Sequence, residues 1–280
     1  MNLHIRQFHN RLGNNIRQLL YSIHIALFYN LNIILPYHKY FNKRYIIINE
    51  KVKITDKKII DEWDFFHKHR IRVINQDLFK MNIDKSIKIL RSCFSIKNIP
   101  SSINENDLVI HIRGGDIFIN PHFKYIMPPL SYYIKIIESK KFEKITIVSQ
   151  DRRNPCVSAL LKIYPDIEFK LRNLDEDINI ILSATNLVES YGTFTSYLLL
   201  FSKNIKNIYK PSYQVNTEKY FNKNQVNFIV SDLKKYHNMM GSSWKNSLYQ
   251  RKLMLNYEMN LTLIKNIINT YKNKIIDDKK

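Results

Sequence analysis

Short apolar runs alternate with helical patterns along most of this chain, and this alternation limits its fold more than any other feature. Residues 3–35 predict a strand, a polar turn, a helix and a second strand. The alternation returns over residues 108–209, where five short apolar runs are separated by four helical patterns. Strands and helices that alternate at this spacing predict parallel sheets covered by helices, so we expect an α/β fold.

The remaining segments give weaker patterns. A strand is expected at residues 45–48, and helices are expected at 61–69, 87–94 and 253–268. Together these patterns predict three parts, namely an N-terminal Rossmann-like domain over 1–100, a second Rossmann-like domain over 101–215 and a C-terminal helical extension over 216–280.

The net charge of +20 comes from 44 Lys and Arg side chains against 24 Asp and Glu side chains. It lies on the flanks, because residues 1–100 carry +11, residues 101–202 carry −1 and residues 203–280 carry +10. Scattered lysine is typical of a solvated surface, and net charge indicates non-specific attraction more than a site. We therefore expect no specific nucleic-acid partner.

Cysteine content and hydropathy indicate the compartment. Cys93 and Cys156 lie in no Cys-x-x-Cys motif or Cys/His cluster, which disfavours a disulfide framework and a structural zinc site. The most apolar stretch, residues 19–37, contains His24 and two asparagines and has Pro36 at its end, so it does not predict a membrane span. The N-terminus has no apolar signal region. We expect a cytoplasmic chain without a transmembrane segment.

The strongest local signal follows the apolar run that begins at residue 108. It reads His111-Ile112-Arg113-Gly114-Gly115-Asp116. Ligands of parallel sheets bind beyond the carboxyl ends of the strands, and an arginine there offers paired donors to a diphosphate. The two glycines allow close approach of the backbone and supply N–H donors to an anion, while the aspartate can orient the arginine. The competing interpretation is an ordinary turn with an Arg–Asp pair on the surface.

Two other loops follow predicted strands of the same sheet. They are Ser149-Gln150-Asp151 and the segment from Glu189 to Phe194, which contains Gly192. Because parallel strands that share a sheet end at one edge, we expect these loops to share one crevice with Arg113.

The acidic triplet Asp175-Glu176-Asp177 allows two interpretations. It has the Asp-x-Asp form of metal-dependent transferases, in which a divalent cation bridges the diphosphate. It also opens a predicted helix, with Asp175 as the expected N-cap, and acids in that position interact favourably with the helix dipole. Capping or contact with a nucleotide base is favoured, so we expect no metal ion and no cofactor.

Together these motifs resemble the fucosyltransferase-like superfamily, which includes the α1,2-, α1,6- and protein O-fucosyltransferases. His-x-Arg-x-x-Asp is similar to its phosphate-binding motif, and Gly13-Asn14-Asn15 with Gln18 is similar to its opening loop. The segment from Asp177 to Phe194 is similar to its third region, although Gly114 stands where many members carry a second arginine. The resemblance covers about residues 3 to 211 and implies a GT-B fold, with two Rossmann-like domains facing a cleft.

The resemblance also implies roles for the matching residues. Arg113 would bind the β-phosphate of a nucleotide sugar and stabilise the leaving nucleotide. Asp177 would contact the base, Thr193 and Phe194 would contact phosphate or base, and Gly13 and Asn14 would close the cleft from the first domain.

The positions of other residues in these loops add further candidates. Asp116 is predicted as the second catalytic residue because it lies in the same loop as Arg113. The other predicted substrate-binding residues are His111, Gly114, Gly115, Asp151, Ser190 and Gly192.

The leading hypothesis is an inverting, metal-independent glycosyltransferase. By resemblance, it would move L-fucose from GDP-fucose to a hydroxyl of a glycan or glycoprotein acceptor. Such a transfer benefits from a general base, and Asp116, Asp151 and His122 are open alternatives for it. The competing hypotheses are a non-catalytic basic protein that binds glycan or nucleic acid on the same fold, and a transferase that uses a different nucleotide sugar.

Overall fold

The structure is a computed structural model that describes residues 2–53, 59–61, 83–96, 104–221, 225–241, 243–259 and 264–266. The chain divides into two compact units, Met1–Asn98 and Ile99–Lys280. Residues 62–69 of the helix predicted over 61–69 lie outside the described residues. In the part of the chain that is described, no helix combines the length and the hydrophobicity needed to cross a bilayer.

The first unit is built on a four-stranded sheet. Its elements are β1 (Asn2–His4), α1 (Leu12–Tyr29), β2 (Asn32–Ile34), β3 (Tyr45–Ile46), β4 (Ile59–Asp61) and α2 (Ile83–Cys93). The strand order is β3-β2-β1-β4, with β1 parallel to β2 and β4, and β3 antiparallel to β2. Residues Ile16, Leu19, Leu20 and Ile23 of α1, which the helical spacing selects, are fully buried. The βαβ unit predicted at the N-terminus is therefore present.

The start of α1 differs from the prediction, which placed Gly13 in a polar turn. Gly13 lies buried inside the first turn of α1. Side chains of this helix hold the preceding loop: the Gln18 amide donates to the Gln7 carbonyl at 3.0 Å and accepts from the His9 N–H at 3.1 Å. Asn15 Nδ2 also donates to the His9 carbonyl at 2.7 Å. The Asn15 N–H donates to the Arg11 carbonyl at 3.1 Å, so the helix begins before the glycine.

The second unit is built on a seven-stranded sheet. Its elements are β5 (Leu108–His111), α3 (Leu130–Glu138), β6 (Ile145–Val148), α4 (Pro155–Ile163), β7 (Glu168–Phe169), α5 (Leu174–Ser183), β8 (Asn186–Val188), α6 (Thr193–Leu198), β9 (Asn207–Pro211), β10 (Asn227–Ser231), α7 (Lys234–Met239), α8 (Leu248–Asn256) and β11 (Ile264–Asn266). The strand order is β11-β10-β9-β8-β5-β6-β7, and all neighbouring strands are parallel except β10 and β11. The five strands and four helices predicted over 108–209 are all present.

The segment after residue 215 differs from the predicted helical extension, because β10 extends the sheet beside β9. A five-residue strand leaves little periodicity in the sequence, and its stability comes from pairing with β9. Trp244 Nε1 then donates to the Ile117 carbonyl at 2.8 Å, and Asn246 Nδ2 donates to the Phe118 carbonyl at 2.7 Å. The prediction of a helix over 253–268 is also wrong, since α8 ends at residue 256 and residues 264–266 form β11.

Candidate functional site

Three loops meet at the carboxyl edge of the second sheet, after β5, β6 and β8. The Gly115 N–H donates to Asp151 Oδ1 at 3.1 Å, and Asn154 Nδ2 donates to the Arg113 carbonyl at 3.0 Å. A Cβ atom added to Gly192 would lie 3.1 Å from an Nη atom of Arg113. The structure therefore brings together the three strand-end loops that the sequence singles out.

Arg113 lies where these loops meet. Its Nη2 lies 3.5 Å from Asp116 Oδ1, so the Arg–Asp pair of the competing interpretation is present. The Arg113 side chain is only 15% exposed, however, and is therefore mostly enclosed. Its Cζ lies 4.7 Å from the ring centroid of Tyr125, a cation–π distance. Arg113 Nε is buried and has no hydrogen-bond partner among the described residues. A buried donor without a partner costs free energy, and a ligand oxygen that accepted a hydrogen bond from it would remove that cost.

The glycines of the site allow this close packing. Gly192 has a φ of +140°, and a side chain there would press on the Arg113 guanidinium. A Cβ on Gly114 would lie 2.5 Å from Asp151 Oδ1. The amides of Gly114 and Gly115 were expected to face an anion, but the Gly115 N–H donates to Asp151 Oδ1. The Gly192 N–H donates to Gln214 Oε1. Within the protein, these amides join one loop to the next.

The Asp151 carboxylate links the β6 loop to the β5 loop. Its Oδ1 accepts from the Gly115 N–H and from the Arg153 N–H at 3.0 Å, and its Oδ2 pairs with Arg153 Nη1. His122 is exposed and stacks on Phe123, with ring centroids 4.7 Å apart. Of the three general-base candidates, Asp116 is the one that lies beside Arg113, with a side chain 46% exposed.

His111 supports the end of β5. It is buried, and its ring centroid lies 5.6 Å from that of Phe194, which is half-buried beside Thr193 in the first turn of α6. Burial, reinforced by the positive charge of Arg113, lowers the pKa of His111 to about 3. The imidazole is therefore neutral at physiological pH and packs as an aromatic ring.

The acidic triplet begins one residue inside α5, and the prediction that Asp175 is its N-cap is wrong. The cap is Asn173, whose Oδ1 accepts from the Glu176 N–H at 3.0 Å while Glu176 Oε2 accepts from the Asn173 N–H at 2.9 Å. This reciprocal capping box starts the helix earlier than the acids suggest. Within the described residues, no group of three or more His, Cys, Asp or Glu side chains could hold a metal ion.

Asp177 has a different environment from the two acids before it. It is half-buried, and burial raises the pKa of its carboxyl to about 6, while the positive charge of Arg172 opposes that rise. Arg172 Nη1 donates to the Ile147 carbonyl of β6 at 3.2 Å. Asp177 is therefore a partly desolvated acceptor on the β6–β7 side of the carboxyl edge.

Ser190 and Gln214 form the support of the β8 loop. The Ser190 hydroxyl is buried, 3.4 Å from the Tyr133 hydroxyl, so the structure places it in the interior and not beside Arg113. Gln214 is buried, donates to the Ser190 carbonyl at 2.5 Å and accepts from the Gly192 N–H at 3.1 Å. The sequence analysis missed Gln214, although it follows β9 closely and the strand-end rule would have selected it.

The predicted site residues divide between the two units. Gly13 and Asn14 belong to the first unit, in the first turn of α1, where Gly13 is buried and Asn14 is half-buried. The eleven other predicted site residues belong to the second unit. Tyr125 belongs to no motif or periodic pattern of the sequence, yet it lies nine residues after Asp116 and contacts Arg113.

The fold and the site define an α/β protein that presents a half-enclosed arginine at the carboxyl edge of a parallel sheet. Such an edge is where open α/β sheets bind ligands, and the positive charge of a guanidinium suits an anionic one.

Comparison with known proteins gives the following similarities. No family model and no curated protein matches the chain. Among solved structures, it is similar to POFUT1 in complex with GDP, with 12% identity, a TM-score of 0.38, and coverage of 72% of this chain and 94% of that one. It is also similar to the fucosyltransferase NodZ from Bradyrhizobium, with 11% identity, a TM-score of 0.39, and coverage of 83% and 96%. A third similar structure is NodZ α-1,6-fucosyltransferase co-crystallised with GDP, with 12% identity, a TM-score of 0.38, and coverage of 83% of this chain and 95% of that one.

Proposed function

We propose that this protein is a glycosyltransferase that transfers a sugar from a nucleotide sugar to a hydroxyl of a glycan or protein. The observation that carries the proposal is the Arg113 guanidinium, which is 15% exposed, set against Gly192 and Tyr125, and has a buried Nε without a partner. A diphosphate offers the paired acceptor oxygens that such a guanidinium binds best. The motif resemblance makes GDP-fucose the first donor to consider.

The chemistry follows from the charge that develops on the leaving group. The acceptor oxygen forms a bond to the anomeric carbon while the bond from that carbon to the phosphate oxygen breaks, and the electron pair leaves with the nucleoside diphosphate. Arg113 stabilises the new negative charge, and such fixed donors are commonly the largest catalytic contribution. Asp116, 3.5 Å from Arg113 and half-exposed, orients the guanidinium and is the favoured acceptor of the hydroxyl proton.

The direct test is ligand-induced stabilisation by a panel of nucleotides. We expect GDP at 100 times its Kd to stabilise the folded protein by about 2.7 kcal/mol, and ADP, UDP and CMP to stabilise it less. Thermal shift without and with EDTA measures this, and the GDP effect should survive EDTA. A donor-hydrolysis assay across nucleotide sugars then identifies the sugar.

The same panel separates the competing functions. If UDP or CMP stabilises the protein more than GDP does, the donor is a different nucleotide sugar and not GDP-fucose. Strict dependence on Mn²⁺ or Mg²⁺ would return a metal to the mechanism. If no nucleotide stabilises the protein and a polynucleotide does, with affinity that falls steeply with salt, the chain is a basic binding protein and the transferase proposal is wrong.

Asp177 gives a second prediction, on pH. We propose that its ionised carboxyl accepts hydrogen bonds from the guanine base, and its pKa of about 6 lies close to physiological pH. Lowering the pH from 7.5 to 5 protonates the carboxyl and removes an acceptor, so GDP affinity should fall by about tenfold. Isothermal titration calorimetry at a series of pH values measures the profile.

The matched control for this profile is Asp177→Asn. The variant should bind GDP more weakly than the wild type at pH 7.5 and lose less affinity than the wild type between pH 7.5 and 5, because its amide does not titrate and the terminal phosphate of GDP still does. An equal loss of affinity in the two proteins would assign the titration to that phosphate or to another group.

A further inference from the structure

A row of aromatic rings extends away from Arg113 along the carboxyl edge of the second sheet. The Cζ atom of Arg113 lies 4.7 Å from the ring centroid of Tyr125, and that centroid lies 5.9 Å from the ring centroid of Tyr191. The row continues from Tyr191 to Tyr213 at 5.7 Å and from Tyr213 to His237 at 5.1 Å. Tyr125 and Tyr191 are half-buried, while the Tyr213 hydroxyl is buried. The two rings nearest the guanidinium therefore keep accessible surface.

The row of rings runs from Arg113 toward β8 and β9, on the opposite side of β5 from Asp177. Asp177 lies on the β6–β7 side of the edge, Arg113 follows the central strand β5, and Tyr191 and Tyr213 follow β8 and β9. Neighbouring strands lie about 4.8 Å apart. A nucleotide sugar with its base at Asp177 and its diphosphate at Arg113 would therefore extend its sugar toward β8, where Tyr191 lies.

Both tyrosines are held in place by hydrogen bonds to their loops. Gln214 binds the backbone on each side of Tyr191, through the Ser190 carbonyl at 2.5 Å and the Gly192 N–H at 3.1 Å. The loop that carries Tyr125 is held by the backbone N–H of Trp244, which donates to the Phe123 carbonyl at 3.0 Å. Rings fixed in this way lose little conformational entropy when a ligand packs on them.

We infer that Tyr125 and Tyr191 form the wall of the sugar subsite, which we call the tyrosine wall, and that Tyr191 determines the preference for the complete donor over the free nucleotide. This inference rests on the proposed function. A sugar ring has one face of C–H groups that packs on an aromatic surface, and binding sites commonly combine such a surface with a few convergent polar groups. Tyr125 also supports Arg113, so Tyr191 is the residue that separates sugar contact from phosphate contact.

The test compares the affinity for GDP-fucose with the affinity for GDP by calorimetry. We expect Tyr191→Ala to weaken GDP-fucose by about tenfold while GDP changes by less than about threefold, because the aromatic contact is made only to the sugar. Tyr191→Phe keeps the ring and should keep the wild-type ratio. Tyr249→Ala, on the surface of α8, is the matched control and should change neither affinity.

Each outcome decides the inference. An unchanged ratio in Tyr191→Ala, or an equal loss for GDP and GDP-fucose, overturns it while leaving the proposed function in place, since the nucleotide still binds the wild type. If the wild type binds no nucleotide, both proposals fall. If Tyr191→Ala fails to fold, Tyr191→Leu fills the space without a π face, and the same ratio decides. If the wild type prefers another nucleotide, that nucleotide and its sugar conjugate replace GDP and GDP-fucose.

Discussion

Replacing Arg113 with alanine is expected to abolish stabilisation by GDP at concentrations that saturate the wild type. A charge-assisted hydrogen bond contributes about 1.5–3 kcal/mol, and a bidentate pair contributes two, so GDP affinity should fall by about 100-fold or more. Arg113→Lys keeps the charge but loses the planar paired donors, so it should recover only part of the affinity. Thermal shift and calorimetry with GDP measure both variants.

The matched control is Arg152→Ala on the neighbouring β6 loop. Arg152 is exposed and lies 5.2 Å from the Phe169 ring, so it has the same charge at the same edge without facing Gly192. Its removal should change GDP affinity by about twofold at most, as expected for a solvated charge. Wild-type affinity in Arg113→Ala would place the nucleotide elsewhere, and an equal loss in both variants would indicate general charge attraction.

The sequence predicted the parallel sheet and the loops of the site because both depend on local patterns. The runs before Arg113, Asp151 and Gly192 are short and apolar, and the helices between them repeat apolar residues at helical spacing. In a parallel sheet such strands end at a common edge, so the position of these three residues just after strands was enough to predict that they lie close together. The contact of the Arg113 guanidinium with Gly192 bears this out.

The features that were missed depend on contacts between distant segments. Tyr125 reaches Arg113 through a loop without a periodic pattern, and Gln214 acts on two backbone groups more than 20 residues away. The strand β10 forms because β9 offers an open edge to pair with. Asn173 displaced Asp175 as the helix cap because two side chains cooperate in a capping box, which composition alone does not rank.

A second large effect is expected for Lys210, which lies in β9 and is 3% exposed. Its Nζ donates to Glu218 Oε1 at 3.1 Å and to the Val215 carbonyl at 3.3 Å, and its charge also acts on the buried Glu189. Lys210→Met leaves two enclosed carboxylates without their cation, which typically costs about 3–5 kcal/mol. The midpoint of thermal unfolding should fall by roughly 6–20 °C for a unit of this size.

Lys206→Met is the control for that loss. Lys206 pairs with Glu105 at 2.8 Å, but both side chains are mostly exposed, at 59% and 69%. Solvated pairs of this kind contribute about 0–1 kcal/mol, so the unfolding midpoint should change by only a few degrees. Equal and small losses in the two variants would contradict the assignment of Lys210 as the cation of a buried network.

The stability that Lys210→Met loses is expected to depend on pH, and this dependence identifies which carboxylate Lys210 neutralises. Burial raises the pKa of Glu189, and Lys210 opposes that rise, so removing the lysine raises it further. A carboxyl whose pKa is higher in the folded protein than in the unfolded chain binds its proton more tightly when folded, and stability then falls as the pH rises through that range. The deficit should therefore be smaller at pH 5 than at pH 8 in denaturant titrations. In Lys210→Met combined with Glu189→Gln, this pH dependence should largely disappear, because the amide needs no proton to be neutral; if it persists unchanged, Glu218 is the group that Lys210 neutralises.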